Sequence, residues 1–173
     1  NAPGHPLDAA LVMDLVPGAY TAIVRGEGGT TGVCIVEGFD LNPGNGAFLR
    51  NMSTRGPVGT GVNVLIGGLI VQGNQQKEIL VRGRGPTVGG GVANPLADPT
   101  LRIVDNLTGI DVAILDDWQG YSAENTQRLN ATGLQPTNAF EAAGVFRLAP
   151  GAYTAILEGK GGGIGAGIVE FFD

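Results

Sequence analysis

The stretch DAALVMDLVPGAYTAIVRGEGGTTGVCIVEGFD at 8–40 returns at 141–173 as EAAGVFRLAPGAYTAILEGKGGGIGAGIVEFFD, with no gap. About 20 of the 33 aligned positions are identical, and self-similarity on this scale marks a structural unit used twice. Each copy reads as the same three-strand piece. An apolar run meets a Pro-Gly turn, a tyrosine-bearing strand alternates with period two, a glycine loop follows, and a last strand ends Val-Glu and then Phe-Asp. The interval between copies is the length of a domain, too long for a solenoid coil. Two organisations satisfy it. In one, residues 1–40 are the tail of one unit and 41–173 form a complete sandwich whose last strands, 141–173, duplicate that tail. In the other, a single sandwich uses both copies as pseudo-symmetric parts.

The rest of the chain repeats the rhythm. Apolar runs of strand length lie at 10–16, 18–25, 32–39, 47–53, 63–72, 77–82, 100–105, 111–115, 144–148, 151–157 and 165–172. With 31 glycines and 10 prolines among 173 residues, and no collagen period, the chain must turn often between short elements. The expectation is an all-β fold, an antiparallel β-sandwich or jelly roll of about 10–11 short strands. The one helix candidate, 123–134, is polar and reads as poorly capped; a long loop with a single helical turn fits it equally well.

Composition removes several classes of function. A hydrophobic content of 43% argues for a packed core. The net charge of −6 and a pI near 4.6 oppose nucleic-acid binding, which needs clustered Lys and Arg. The only lysines are Lys77 and Lys160, and the pair Arg82 and Arg84 is expected to hold carboxylates of the same chain. The lone cysteine, Cys34, lies in GVCIV and reads as a small hydrophobe in a buried strand. No apolar run reaches the ~18 residues of a membrane helix. The opening NAPGHPLDAA, with neither an initiating Met nor a signal peptide, points to a processed or excised product.

Nucleophilic chemistry finds little material. There are two serines, Ser53 and Ser122, and one histidine, His5, in a loose segment ahead of the first strand. A triad needs a base held by an orienting partner, and a structural zinc site needs several His or Cys ligands. The glycine stretches at 25–32 and 82–90 lack the GK[ST] and following helix of a phosphate loop and read as hairpin connections. Aromatic residues make up 6%, too few for a sugar-lined cleft around paired carboxylates. No catalytic residue or cofactor-binding residue is expected, and calcium is the one ion with candidate ligands. Asp105, Asp111, Asp116 and Asp117 crowd one hairpin, with Asp98 and Glu124 nearby. Calcium takes oxygen ligands from loops of this kind, while Asp also caps turns through its own backbone. Three sequons, at Asn51, Asn106 and Asn130, are compatible with a surface location.

LADPTLRIVDNLTGIDVAILDDW at 96–118, followed by LAPGAYTAILEGKGGGIGAGIVEFFD, resembles the bacterial pre-peptidase C-terminal type of β-sandwich. NMSTRG at 51–56, GTG at 59–61 and ILVRG at 79–83 are similar to a glycine-rich variant found as tandem modules in large exported bacterial proteins. The resemblance implies an extracellular, cell-surface or secreted jelly-roll module without chemistry of its own. It further implies that Asp105, Asp116 and Asp117 are the place for calcium at a sandwich end.

If 1–40 is a tail without its front, its strands present unpaired backbone groups and bare apolar side chains at Leu11, Met13, Leu15, Tyr20, Ile23 and Ile35. Edges of this kind seek a partner. The expectation is a homo-oligomer or polymer, a surface or filament subunit joined by β-strand complementation. The alternative is a closed monomeric module of a larger secreted protein, binding calcium or surface glycans.

Overall fold

Among the described residues eight strands and one α-helix form, all from Asn51 onward: β1 Asn51–Val58, β2 Leu65–Val71, β3 Lys77–Arg84, β4 Pro99–Asp105, β5 Ile110–Leu115, α1 Ala123–Thr132, β6 Ala142–Leu148, β7 Gly151–Gly159 and β8 Gly165–Phe172. The structure is a computed structural model and describes residues 4–44 and 46–173. The strands pair antiparallel in two four-stranded sheets, β1-β8-β3-β6 and β2-β7-β4-β5. This is the strand order of an eight-stranded jelly roll, so the all-β sandwich read from the sequence is the fold that forms.

Period-two alternation places the core. Tyr153, Ala155 and Leu157 of β7 are buried while their neighbours Thr154 and Ile156 are only partly so, because successive strand side chains point to opposite faces. Leu101, Ile103, Leu115 and Val169 join them between the sheets. A second apolar cluster lies outside the first sheet, where Leu129 of α1 packs with Leu80, Val145 and Trp118.

The helix is better capped than its sequence suggested. The Ser122 side chain accepts from Asn125 N at 3.1 Å, and Gly133 ends it in the left-handed region at φ 69°, the standard chemistry for both termini. Its position answers a need of the sheet. β6 is an edge strand, and the Asn125 side chain donates to Ala143 O at 3.1 Å and accepts from Val145 N at 2.9 Å. Arg128 donates to Val145 O at 3.0 Å. Backbone groups that would otherwise template another chain are thereby satisfied.

The strand count is lower than expected. Among the described residues from 4 to 49 no strand forms, so the runs at 10–16, 18–25 and 32–39 stay unpaired, and the run at 47–53 becomes the start of β1. Topology supplies the reason. β6, β7 and β8 pair with β1 through β4 and never with one another. A three-strand piece of this kind therefore has no ladder to form within itself. Cys34, expected in a buried strand, is exposed. The chain divides into two compact units, Asn1–Leu49 and Arg50–Asp173.

Candidate functional site

The second unit consists of a front half, β1 to β5 with α1, and a closing half, β6 to β8. Besides the ladders, acidic side chains of the closing half lock onto the front. Glu170 on β8 accepts from Arg82 Nε at 2.7 Å and lies 3.7 Å from Arg84 Nη1. Arg82 also stands over the Phe172 ring, 4.9 Å from its centroid. Glu141, ahead of β6, is fully buried. Its Oε1 accepts from Gly85 N at 3.3 Å, Thr87 N at 2.9 Å and Thr87 Oγ1 at 2.6 Å. Asp173 pairs with Lys77 at 2.5 Å. Thus Arg82 and Arg84 do hold carboxylates of this chain. Buried charges persist only when paired and hydrogen-bonded in this way.

The first copy has the local shape of the closing half without its pairing. Tyr20 donates its hydroxyl to Val16 O at 2.7 Å, as Tyr153 does to Ala149 O at 2.9 Å. The glycine loop forms a 3-10 turn at Glu27–Gly29 that recurs at Lys160–Gly162. Gly28 at φ 62°, ψ 19° matches Gly161 at φ 62°, ψ 21°, a region that favours glycine. A side chain on Gly26 would strike the carbonyl of Thr30, and one on Gly159 that of Gly163. Yet every described residue of 4–49 is exposed. Leu11, Met13, Leu15, Tyr20, Ile23 and Ile35 are between 48% and 84% accessible.

A second candidate lies at one end of the sandwich. Asp98, Asp116 and Asp117 each bring a carboxylate oxygen within 4.8 Å of the others. The sequence singled out Asp116 and Asp117 together with Asp105. The structure brings the first two to Asp98, just before β4, and leaves Asp105 at the far end of that strand, accepting from Leu107 N at 2.8 Å. There Asp105 helps raise the pKa of Tyr153. Burial is the larger cause, and the hydrogen bond to Ala149 opposes both. At the cluster, Lys160 Nζ stands 2.6 Å from Asp116 and 3.7 Å from Asp98. Its hydrogen bond to Asp116, joined by the charges of all three aspartates, holds its pKa above the ordinary lysine value. Asp98 Oδ1, Asp116 Oδ1 and Asp117 Oδ1 are buried without a partner. Such oxygen donors fit calcium, with the lysine ammonium already supplying one positive charge.

Sequence reading missed Glu141, a lone acid ahead of an apolar strand. A signal existed for Glu170: the Val-Glu pair is kept in both copies, as Glu37 and Glu170.

These features define a jelly-roll β-sandwich preceded by an unpaired second copy of its own closing half. No protein-family profile and no curated protein matches the chain. It is similar to a solved structure of the pre-peptidase C-terminal domain of collagenase from Bacillus anthracis. The two are 13% identical over 70% of this chain and 89% of that one, with a TM-score of 0.44.

Proposed function

We propose that the chain is a non-catalytic, extracellular structural module that joins neighbouring modules by β-strand complementation, with residues 8–40 supplying the closing half of a neighbour's sandwich. The observation that carries this reading is the match between copies: the same tyrosine bond and glycine loop, with the tyrosine buried in one and bare in the other. Strand addition joins chains through main-chain bonds, with alternate side chains filling pockets. A head-to-tail contact of this kind does not close on itself, so it extends surface or filament assemblies. The extracellular setting rests on the resemblance of the sequence motifs to exported modules.

A chain ending at Phe140 tests the reading, because 8–40 is then its sole closing segment, and Asp14→Arg, Glu27→Lys and Gly38→Phe give that segment the residues with which 141–173 meets this front. The 1–140 triple variant is expected to gain sheet signal and a cooperative urea transition that 41–140 lacks. Equal disorder in both would overturn the proposal.

The unpartnered oxygens of Asp98, Asp116 and Asp117 favour a second reading, a calcium-binding module. Asp98, Asp116 and Asp117 would hold the ion, which supplies a positive charge that fixes the sandwich end. Calorimetric titration of chelated protein, showing neither heat nor a melting shift, would remove it.

A further inference from the structure

The aligned copies differ most informatively where their side chains touch something. A Cβ on Gly144 would run into the Phe146 ring, whose Cε2 lies 2.6 Å away. The first copy has Leu11 and Met13 at these two positions, so the larger residue arrives as the ring leaves. A Cβ on Gly167 would stand 2.6 Å from Leu157 Cδ2, and the first copy has Cys34 with the shorter Val24. Within the closing half these changes offset one another, which is how a packed core accepts changes of volume, but both glycines also face the front half: a Cβ on Gly144 would lie 3.1 Å from Leu115 Cδ1, and one on Gly167 2.9 Å from Val58 Cγ2 and 3.3 Å from Arg84 O. Residues 8–40 are built to pack as a closing half.

Differences that face the front half are not balanced by this chain's own front. Phe171 packs where a Cβ on Gly67 would lie 2.9 Å from its ring; the first copy has Gly38 there and would leave a ring-sized hole. Lys160, between Asp98 and Asp116, is replaced by Glu27, a further acid on an acidic cluster. Arg147, 3.6 Å from Glu78, is replaced by Asp14. Three other contacts are retained: Glu37 stands for Glu170, Asp8 for Glu141 and Asp40 for Asp173. The common keys fit the Arg82 and Arg84 strand, the Thr87 turn and Lys77, while the discriminating ones repel, as specificity by mismatch requires.

Resting on the complementation reading, we infer that the acceptor of residues 8–40 is a jelly-roll front half distinct from this chain's own. It keeps an Arg-x-Arg third strand. It carries a large apolar side chain in the place of Gly67, and basic groups in the places of Glu78 and the Asp98 and Asp116 cluster. In that acceptor Val36, the counterpart of Val169, turns a methyl towards the space the ring vacates, since Val169 Cγ1 lies 2.8 Å from a Cβ on Gly67.

The three mismatches can be reversed in the full chain at exposed positions that leave the folded module untouched: Asp14→Arg, Glu27→Lys and Gly38→Phe together. Cys34 is the sole thiol and is exposed, and docking would carry it into the place of buried Gly167. Its reactivity thus reports docking, whether the front belongs to the same chain or to a second copy. Both proteins are unfolded in urea, refolded and titrated with a thiol reagent, in chelator and in calcium. The wild type is expected to react completely at the rate of an open thiol, while the triple variant loses a fraction of its reactive thiol. Protection in the wild type, under either condition, would overturn the distinct acceptor and leave complementation standing. Complete reactivity in both proteins, and also in a triple variant ending at Phe140, whose front has no other closing half, would overturn complementation itself, and this inference with it.

Discussion

Tyr20 and Tyr153 each donate a hydroxyl to the carbonyl four residues upstream, at Val16 (2.7 Å) and Ala149 (2.9 Å), yet Tyr20 is 55% exposed and Tyr153 7%. One local structure thus occurs in two environments. In the buried copy the bond holds the corner between β6 and β7, and losing it leaves the Ala149 carbonyl short of a partner. Tyr153→Phe is expected to lower stability by about 1 kcal/mol in urea denaturation. Tyr20→Phe should leave the same transition unmoved.

Glu141 joins the start of the closing half to the turn after β3. Replacing it with Ala strands the amides of Gly85 and Thr87 and the Thr87 hydroxyl in a buried site. The expected loss is about 3 kcal/mol or more, read as a shift of the urea midpoint. In the first copy the corresponding residue is exposed Asp8, and Asp8→Ala should be silent.

Much of the fold was legible because its signals are local. The tyrosine hydrogen bond and the glycine loop take the same local shape in both copies, and Gly28 and Gly161 adopt the same left-handed conformation. Pairing was not legible in the same way. The ladders of β6, β7 and β8 come from strands far away in sequence, so a tail can have every strand signal and still form no strand. The acidic site shows the same division. Asp116 and Asp117 are neighbours in sequence, whereas Asp98 reaches them only because β4 and β5 pair. Asp105, close in sequence, is carried to the opposite end by the length of β4.

Lys160 sets the alkaline behaviour of that end. Its pKa is raised above 10.5, first by the hydrogen bond with Asp116 and further by the charges of Asp116, Asp98 and Asp117. A group whose folded pKa is raised contributes fully below its unfolded value, and the contribution fades as pH rises through the folded one. Wild type should therefore be more stable than Lys160→Met at neutral pH, and the difference should shrink above pH 10.5. Paired urea transitions across that range measure it.

The same lysine competes with any divalent ion at Asp98 and Asp116. Lys160→Ala is expected to tighten calcium binding in calorimetric titration, and Asp116→Asn in that background to abolish it. Asp105→Asn should have no effect, since Asp105 lies at the other end of β4.

One sequence occurs twice in this chain, once paired in the sheets and once without strand pairing. Amide hydrogen exchange on the intact chain tests it most directly, comparing the segment at 20–24 with its counterpart in β7, 153–157, in one sample. The account predicts that the β7 segment is slowed by roughly a thousandfold or more, while the earlier segment exchanges at the rate of an open chain. Equal protection of the two would contradict it.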